Sequence, residues 1–360
     1  MTVGAVPLPE GTVPSHLPGR GSRAVTWVIG AQGLLGSAVC RELARRGSQV
    51  VSHTIAWDDP PEAIAALGRA ARSLLAHRSS WRIAWCAGAG IVGTSQLLLD
   101  QEIEVLRGFL AELGNALADA QTPGGTTTTR APAAELTSGG TALPHPVGRG
   151  ALFVASSAGG VYAGSAEPPF TELTAPRSIS PYGDAKLAAE RLATEFFERS
   201  GVPVLIGRIA NLYGPGQDVT KAQGLVSQLC RAHLTRTPVS IYVSLDTARD
   251  YLYVDDAARV VVEGLDRVEE EGGLQVKIVA SGRPTSVAAI IAELGRVTKR
   301  RPQIVLGASP NARYQARDLR FRSVVWPDLD RGARTTLAAG ISATLESLGQ
   351  DARHGHFAQR

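Results

Sequence analysis

The sequence predicts an α/β fold, a doubly wound parallel sheet with a smaller C-terminal portion over one edge, and three observations carry that expectation. Short apolar runs such as "AVTWVIG" (24–30) and "ALFVASS" (151–157) alternate with stretches whose apolar residues recur at helical spacing. The runs are apolar almost throughout, as strands covered on both faces are. Hydroxyls, glycines and an asparagine gather just beyond the strand ends, in "SSAGGVYAG" and "RIANLYGPG", where such a sheet binds its ligands.

Residues 1–23 are rich in proline and glycine and lack the basic start and apolar core of a secretory signal, so they read as a flexible leader. A nucleotide-binding domain is expected over 24–215. It opens with the strand at 24–30 and the helix "LLGSAVCRELARRG", continues with a strand in "QVVSHTIAW" and a helix from about Pro61 to His77, and reaches a buried strand in "RIAWCAGAG". Residues 114–150, with much threonine, glycine and proline and no apolar period, read as an inserted mobile loop. Beyond it come the strand at 151–157, a helix from about Pro181 to Arg199 and the strand "VPVLIGRIA" (202–210).

Residues 216–348 read mainly as a substrate-binding portion. It holds a helix near Gly224 to Leu234, a strand "SIYV", the helix "VDDAARVVVEGLDRV", a strand "QVKIVA", and helices at Val287 to Val297 and around Arg331 to Leu348. Residues 249–265 are expected to return to the first domain's core, and 349–360 form a tail.

Composition narrows the function. At 360 residues and 44% hydrophobic, the chain can bury a real core. The net charge of +4 is spread over both signs without a run of five like charges, so no nucleic-acid arm is expected. No stretch supplies the roughly eighteen apolar residues of a membrane span, and the three cysteines, Cys40, Cys86 and Cys230, lie far apart in apolar surroundings. A soluble, cytoplasmic protein with buried thiols is the expectation. The seven histidines form no ligand spacing, so no metal site is expected.

"GAQGLLG" places Gly30, Gly33 and Gly36 between a strand and a helix, with Leu34 and Leu35 opening the helix. Glycine permits the tight path and the close approach of a diphosphate to the positive helix start. In this context the loop predicts a Rossmann-type site for a dinucleotide, NAD or NADP. An acid about twenty positions on would select the free ribose hydroxyls. The expected spot falls near Thr54, and the first acids, Asp58 and Asp59, either reach a ribose or cap the next helix.

"SPYGDAKLAAER" holds Tyr182 and Lys186 four apart at a helix start, about 150 residues after the glycine loop. On a helix the two share a face. A free phenol, with a pKa of about 10, is a poor acid or base at neutral pH, and an ammonium held beside it favours the phenolate. The same spacing also suits an ordinary helix surface; its position between ligand-binding strand ends separates the two readings.

Five stretches in order, "GAQGLLG", "SSAGGVYAG", "PYGDAK", "RIANLYGPG" and "RDYLYVDD", resemble the extended short-chain dehydrogenase/reductase family of NAD(P)-dependent epimerases, dehydratases and ketoreductases, which act mostly on nucleotide sugars. The resemblance covers roughly residues 25–345. It implies that Tyr182 is the catalytic acid/base and that Lys186 is its partner and binds the nicotinamide ribose. It implies a third catalytic hydroxyl at Ser157, with Ser156 second, because the motif carries one extra small residue before Val161.

By the same resemblance, "CAGAG" (86–90), with Ala87 and Gly88, lies along the nicotinamide, Asn211 contacts the substrate, and Arg249 meets a substrate diphosphate, a role that suits a planar guanidinium. Two plainer roles stand beside these: Asn211 as a turn former, and Arg249 bridging to Asp250 or Asp255. The family's dehydratases carry an Asp-Glu pair after the catalytic hydroxyl, whereas this chain has Ala158 and Gly159, which implies an epimerase or reductase. A homodimer paired through two helices is a further implication.

Overall fold

The computed structural model describes residues 24–76, 80–88, 90–121, 149–221, 223–309, 314, 316–332 and 334–353. The predicted leader, most of the predicted insertion (122–148) and the last residues of the predicted tail lie outside the described residues.

Six parallel strands form the main sheet: β1 (Val25–Ile29), β2 (Gln49–Val51), β3 (Ser80–Trp85), β4 (Arg149–Ser157), β5 (Val204–Ile209) and, counting along the chain, β9 (Leu274–Val279). Their order is β2-β1-β3-β4-β5-β9, so the chain reverses direction across the sheet between β1 and β3. The central strands are mostly apolar on both sides because both sides are covered. On one, Trp27, Ile29, Ile83, Leu152, Val154 and Ile206 pack against α2 (Pro60–Ala76), α3 (Gln96–Gln121) and α5 (Pro181–Ser200). On the other, Val28, Ala84, Ala151, Phe153 and Leu205 meet α1 (Leu34–Arg45) and α7 (Val254–Glu271). The short α4 (Ala158–Tyr162) follows β4 directly.

The predicted fold class is the observed one, and several boundaries differ. Helix α3 runs through Gly114 to Gln121, where the sequence predicts loop; its inner face of Val105, Leu106, Phe109, Leu110 and Leu113 is buried against α2 and α5. Strand β2 has only three residues, because as an edge strand it pairs with β1 alone, over Gln49 to Val51. Helix α9 (Leu337–Arg353) extends through residues predicted to be tail.

The C-terminal portion has its own core of Tyr213, Val226, Leu229, Cys230, Ile290, Leu294, Ile341 and Leu348. It consists of α6 (Leu225–Thr235), α8 (Val287–Thr298) and α9 around small sheets. One holds β6 (Asn211–Tyr213), β8 (Ala248–Tyr253), β10 (Pro284–Ser286) and β12 (Asp318–Leu319), and the other pairs β7 (Val239–Ile241) with β11 (Ile304–Leu306). The chain crosses back twice: α7 covers the main sheet and β9 is its sixth strand.

On that edge strand Lys277 is fully buried, and its ammonium donates to Ser323 Oγ (3.0 Å), Val325 O (2.7 Å) and Asp330 Oδ2 (2.9 Å). Glu172 completes the clamp by accepting the N–H groups of Ile278 and Val324, both at 2.8 Å. Residues 323–330 are thereby tied over β9. Removing the ammonium takes the nearer cation from Asp330, whose other ion-pair partner is Arg334 at 3.6 Å, and unties three contacts, so Lys277→Ala should lower the unfolding free energy by about 3–5 kcal/mol in urea titrations.

Candidate active site

The site is assembled from strand ends. After β1, Gly30 turns with φ 82°, and a Cβ there would stand 2.7 Å from Ala87 N, so the turn lies against the end of β3. Gly33 caps α1 without a side-chain hydrogen bond, and no acid lies in the first turn. The helix start at Leu34 and Leu35 therefore keeps its N–H groups for an anion. A Cβ on Gly36 would overlap Gly30 O. These residues fit a dinucleotide diphosphate: the cradle is closed to side chains and open to a ligand. Beyond β2, Asp59 Oδ1 accepts the Glu62 N–H at 3.1 Å, so of its two possible roles this acid takes the helix cap.

At the end of β4, successive side chains point to opposite sides. Ser156 is buried and donates to Glu190 Oε1 of α5 at 2.6 Å, and Glu190 in turn holds Arg208 of β5 at 2.7 Å. Ser157 instead caps α4, its Oγ accepting the Gly160 N–H at 3.1 Å, and it lines the cavity described below. The extra small residue in "SSAGGVY" is taken up by α4.

Helix α5 begins at Pro181, capped by Ser180, whose Oγ accepts the Gly183 N–H at 3.1 Å. Two glycines let it touch α4. A Cβ on Gly183 would overlap Gly160 O, and one on Gly160 would stand 3.0 Å from the Tyr182 ring. One turn on, Lys186 Nζ lies 5.5 Å from the centre of the Tyr182 ring. The loop after β3 passes over the lysine, since a Cβ on Gly88 (φ 138°) would stand 3.0 Å from Nζ. Ala87 borders the Gly30 turn, so the segment spans from the glycine loop to Lys186.

Asn211 opens β6 and Arg249 lies on β8; their register partners are Tyr251 and Leu319, so the four residues lie side by side across three strands. Arg249 is buried, and that burial holds its guanidinium below its ordinary value. The bridges from Arg249 to Asp250 or Asp255 are not formed: Asp250 Oδ1 accepts the Ser281 N–H (2.7 Å) and Asp255 pairs with Arg41 (2.7 Å). Burial also pushes the Tyr251 phenol up to about 12, with Arg249 opposing, so it stays a neutral donor.

Ser157, Tyr182, Asn211 and Arg249 line one cavity of about 890 Å³ between the sheet and the C-terminal portion. Its charged lining is Arg231 and Arg249, with no carboxylate among the described residues. Lys186 lies beside Tyr182, behind the cavity wall. Sequence reasoning missed Arg231, Tyr251 and Glu102. Tyr251 was within reach, since it stands two positions from Arg249 on a strand and shares its face; Arg231 and Glu102 lie on outer helix turns with no motif to mark them. The thiols of Cys40, Cys86 and Cys230 are pushed up by burial. Among the described residues no group of three or more His, Cys, Asp or Glu could hold a metal, and no helix is long and apolar enough to cross a membrane.

A glycine turn at β1, a Tyr-Lys pair at the start of the helix after β4 and a serine at the end of β4 stand on a Rossmann-like parallel sheet, an arrangement similar to that of the extended short-chain dehydrogenase/reductase class. The model of the NAD dependent epimerase/dehydratase family matches residues 141–278, a stretch that includes Ser157, Tyr182, Lys186, Asn211 and Arg249. It is similar to the dTDP-L-rhamnose 4-epimerase of Burkholderia thailandensis, 32% identical over 121 residues, 33% of either chain. It is also similar to the uncharacterized UDP-glucose epimerase YtcB of Bacillus subtilis, 30% identical over 115 residues, 32% of this chain and 35% of that one. The chain thus spans about a third of the length of these curated relatives.

The fold likeness is wider. The UDP-glucose 4-epimerase of Thermotoga maritima, solved with UDP-glucose, superposes with a TM-score of 0.70 at 20% identity, covering 91% of this chain and 99% of that one. MoeE5, solved with UDP-glucuronic acid and NAD, gives 0.68 at 24%, covering 91% and 100%.

With no room for a methyl group, Gly36→Ala should destabilise the fold by about 1–3 kcal/mol. It should also weaken NAD binding at least tenfold, read by thermal unfolding with and without NAD.

Proposed function

We propose that the chain is an NAD(P)-dependent enzyme that transfers hydride at a hydroxyl-bearing carbon of a nucleotide sugar, as an epimerase that oxidises and re-reduces one carbon within a cycle. The observation that carries this reading is the cavity itself: Ser157 and Tyr182 stand in a wall of a space whose only charged lining, among the described residues, is two arginines. About 890 Å³ suits a ligand of nucleotide-sugar size, and buried Arg249 suits a diphosphate.

The dinucleotide, when bound, supplies the hydride acceptor and donor. Tyr182 takes the proton from the sugar hydroxyl as it is oxidised and returns it on reduction, while Ser157 Oγ hydrogen-bonds the same oxygen and holds it at the phenol. Lys186, its Nζ 5.5 Å from the centre of the Tyr182 ring, sets a positive charge beside the phenol and binds the nicotinamide ribose. Asn211 and Arg249 anchor the substrate beyond the reacting carbon. A 4,6-dehydratase is disfavoured because Ala158 and Gly159 follow Ser157, leaving no acid and base for water elimination. A ketoreductase would use the same residues, and the cofactor separates the two: NAD that copurifies, identified by mass spectrometry, supports the epimerase, and a site that prefers NADPH supports the reductase.

Tyr182→Phe should lower kcat by about 10²–10⁴-fold, the usual contribution of an acid/base group, with NAD affinity retained in fluorescence titrations. Unchanged turnover would remove this reading. Arg249→Ala should raise KM for a nucleotide sugar by roughly tenfold or more, the effect of losing about 1.5–3 kcal/mol of a charge-assisted contact. An unaltered KM would point to a substrate without a diphosphate.

A further inference from the structure

We propose that Glu102 is a positioning residue for the Tyr182–Lys186 pair, holding Lys186 and tempering its effect on the phenol; the inference rests on the catalytic reading above. Glu102 stands in the second turn of α3, the helix packed along α5. Its two oxygens serve different elements: Oε1 accepts the Gly90 N–H at 2.7 Å, and Oε2 lies 4.0 Å from Lys186 Nζ. The pair is mostly shielded, the lysine side chain 13% and the glutamate 26% exposed. One carboxylate therefore joins the loop after β3 to the lysine of α5. The loop has been shaped to allow it, since a Cβ on Gly90 would stand 3.3 Å from Glu102 Oε2.

A cation beside a phenol favours the phenolate, and an anion beside that cation offsets the effect. Glu102 thus opposes Lys186 at Tyr182 while fixing where the ammonium sits. Other ionisable groups around α5 are engaged elsewhere. Glu190 of α5 pairs with Arg208 of β5, which also meets the Tyr162 phenol of α4. Asp184 accepts from Ser178, and on α3 Asp100 accepts from Gln96, Glu112 pairs with Arg72, and Glu104 and Arg107 face solvent. β4 contributes no ionisable side chain among Ala151–Ser157, and Arg249 lines the same cavity as Tyr182.

The test compares wild type, Glu102→Gln and Glu102→Asp, each with NAD, by ultraviolet difference titration of the phenolate against a matching protein that also carries Tyr182→Phe. The pH dependence of kcat/KM is measured alongside. Gln keeps an acceptor for the Gly90 N–H and loses only the charge. It should move the phenol titration, and the acidic limb of the rate profile, down by ~0.5–1 pH unit, with NAD affinity little changed. Asp should stay closer to wild type. A Gln titration that coincides with wild type, or equal shifts in Gln and Asp, overturns the inference. Failure of the functional reading shows differently, as turnover that survives Tyr182→Phe.

Discussion

The buried ion pair between Glu190 and Arg208 is the constraint on which the site's geometry depends. Both side chains are under a tenth exposed, and together they join α5 to β5 at 2.7 Å, with Ser156 of β4 and the Tyr162 phenol of α4 bonded to the same pair. A buried pair of this kind stabilises only when its remaining hydrogen-bonding capacity is met. Here it is met by the strand and helix that carry Ser157. The pair therefore locks the rotation of α5 relative to β4, and with it the angle at which Tyr182 approaches Ser157.

Above that pair, the contact between α4 and α5 is made by backbone. Gly160 and Gly183 leave no space for side chains, so Tyr182 is placed by main-chain packing and not by a flexible neighbour. A group positioned in this way has little freedom to lose when a ligand binds beside it. The glycine turn at β1 follows the same logic toward a diphosphate, with Gly30 against Ala87 and Gly36 against Gly30.

Much of this was legible in the residues. The alternation of apolar runs and helical spacing announces the fold, and glycines between a strand and a helix announce the turn. What stayed hidden has physical causes. Counting from Val161 puts Ser157 first and Ser156 second, and strand parity separates their surroundings: Ser156 shares its side with the buried Leu152 and Val154, so its hydroxyl faces α5. Helix α3 opens on "QLLLD", where three consecutive leucines mark no single face, and it continues through Gly114, a residue that reads as loop beside the threonine- and glycine-rich stretch that follows. Glu102 was hidden with it. Arg231 depends on how α6 folds over the cavity, a tertiary fact with no local mark.

The direction of β4 separates two parts of the molecule. The strand runs nine residues from Arg149 to Ser157, which at about 3.3 Å per residue sets its start roughly 25–30 Å from the Ser157 hydroxyl. The end of β4 that pairs with Ser80 of β3 is thus remote from the cavity along the strand. A change at that end reaches the cavity only through the length of the strand.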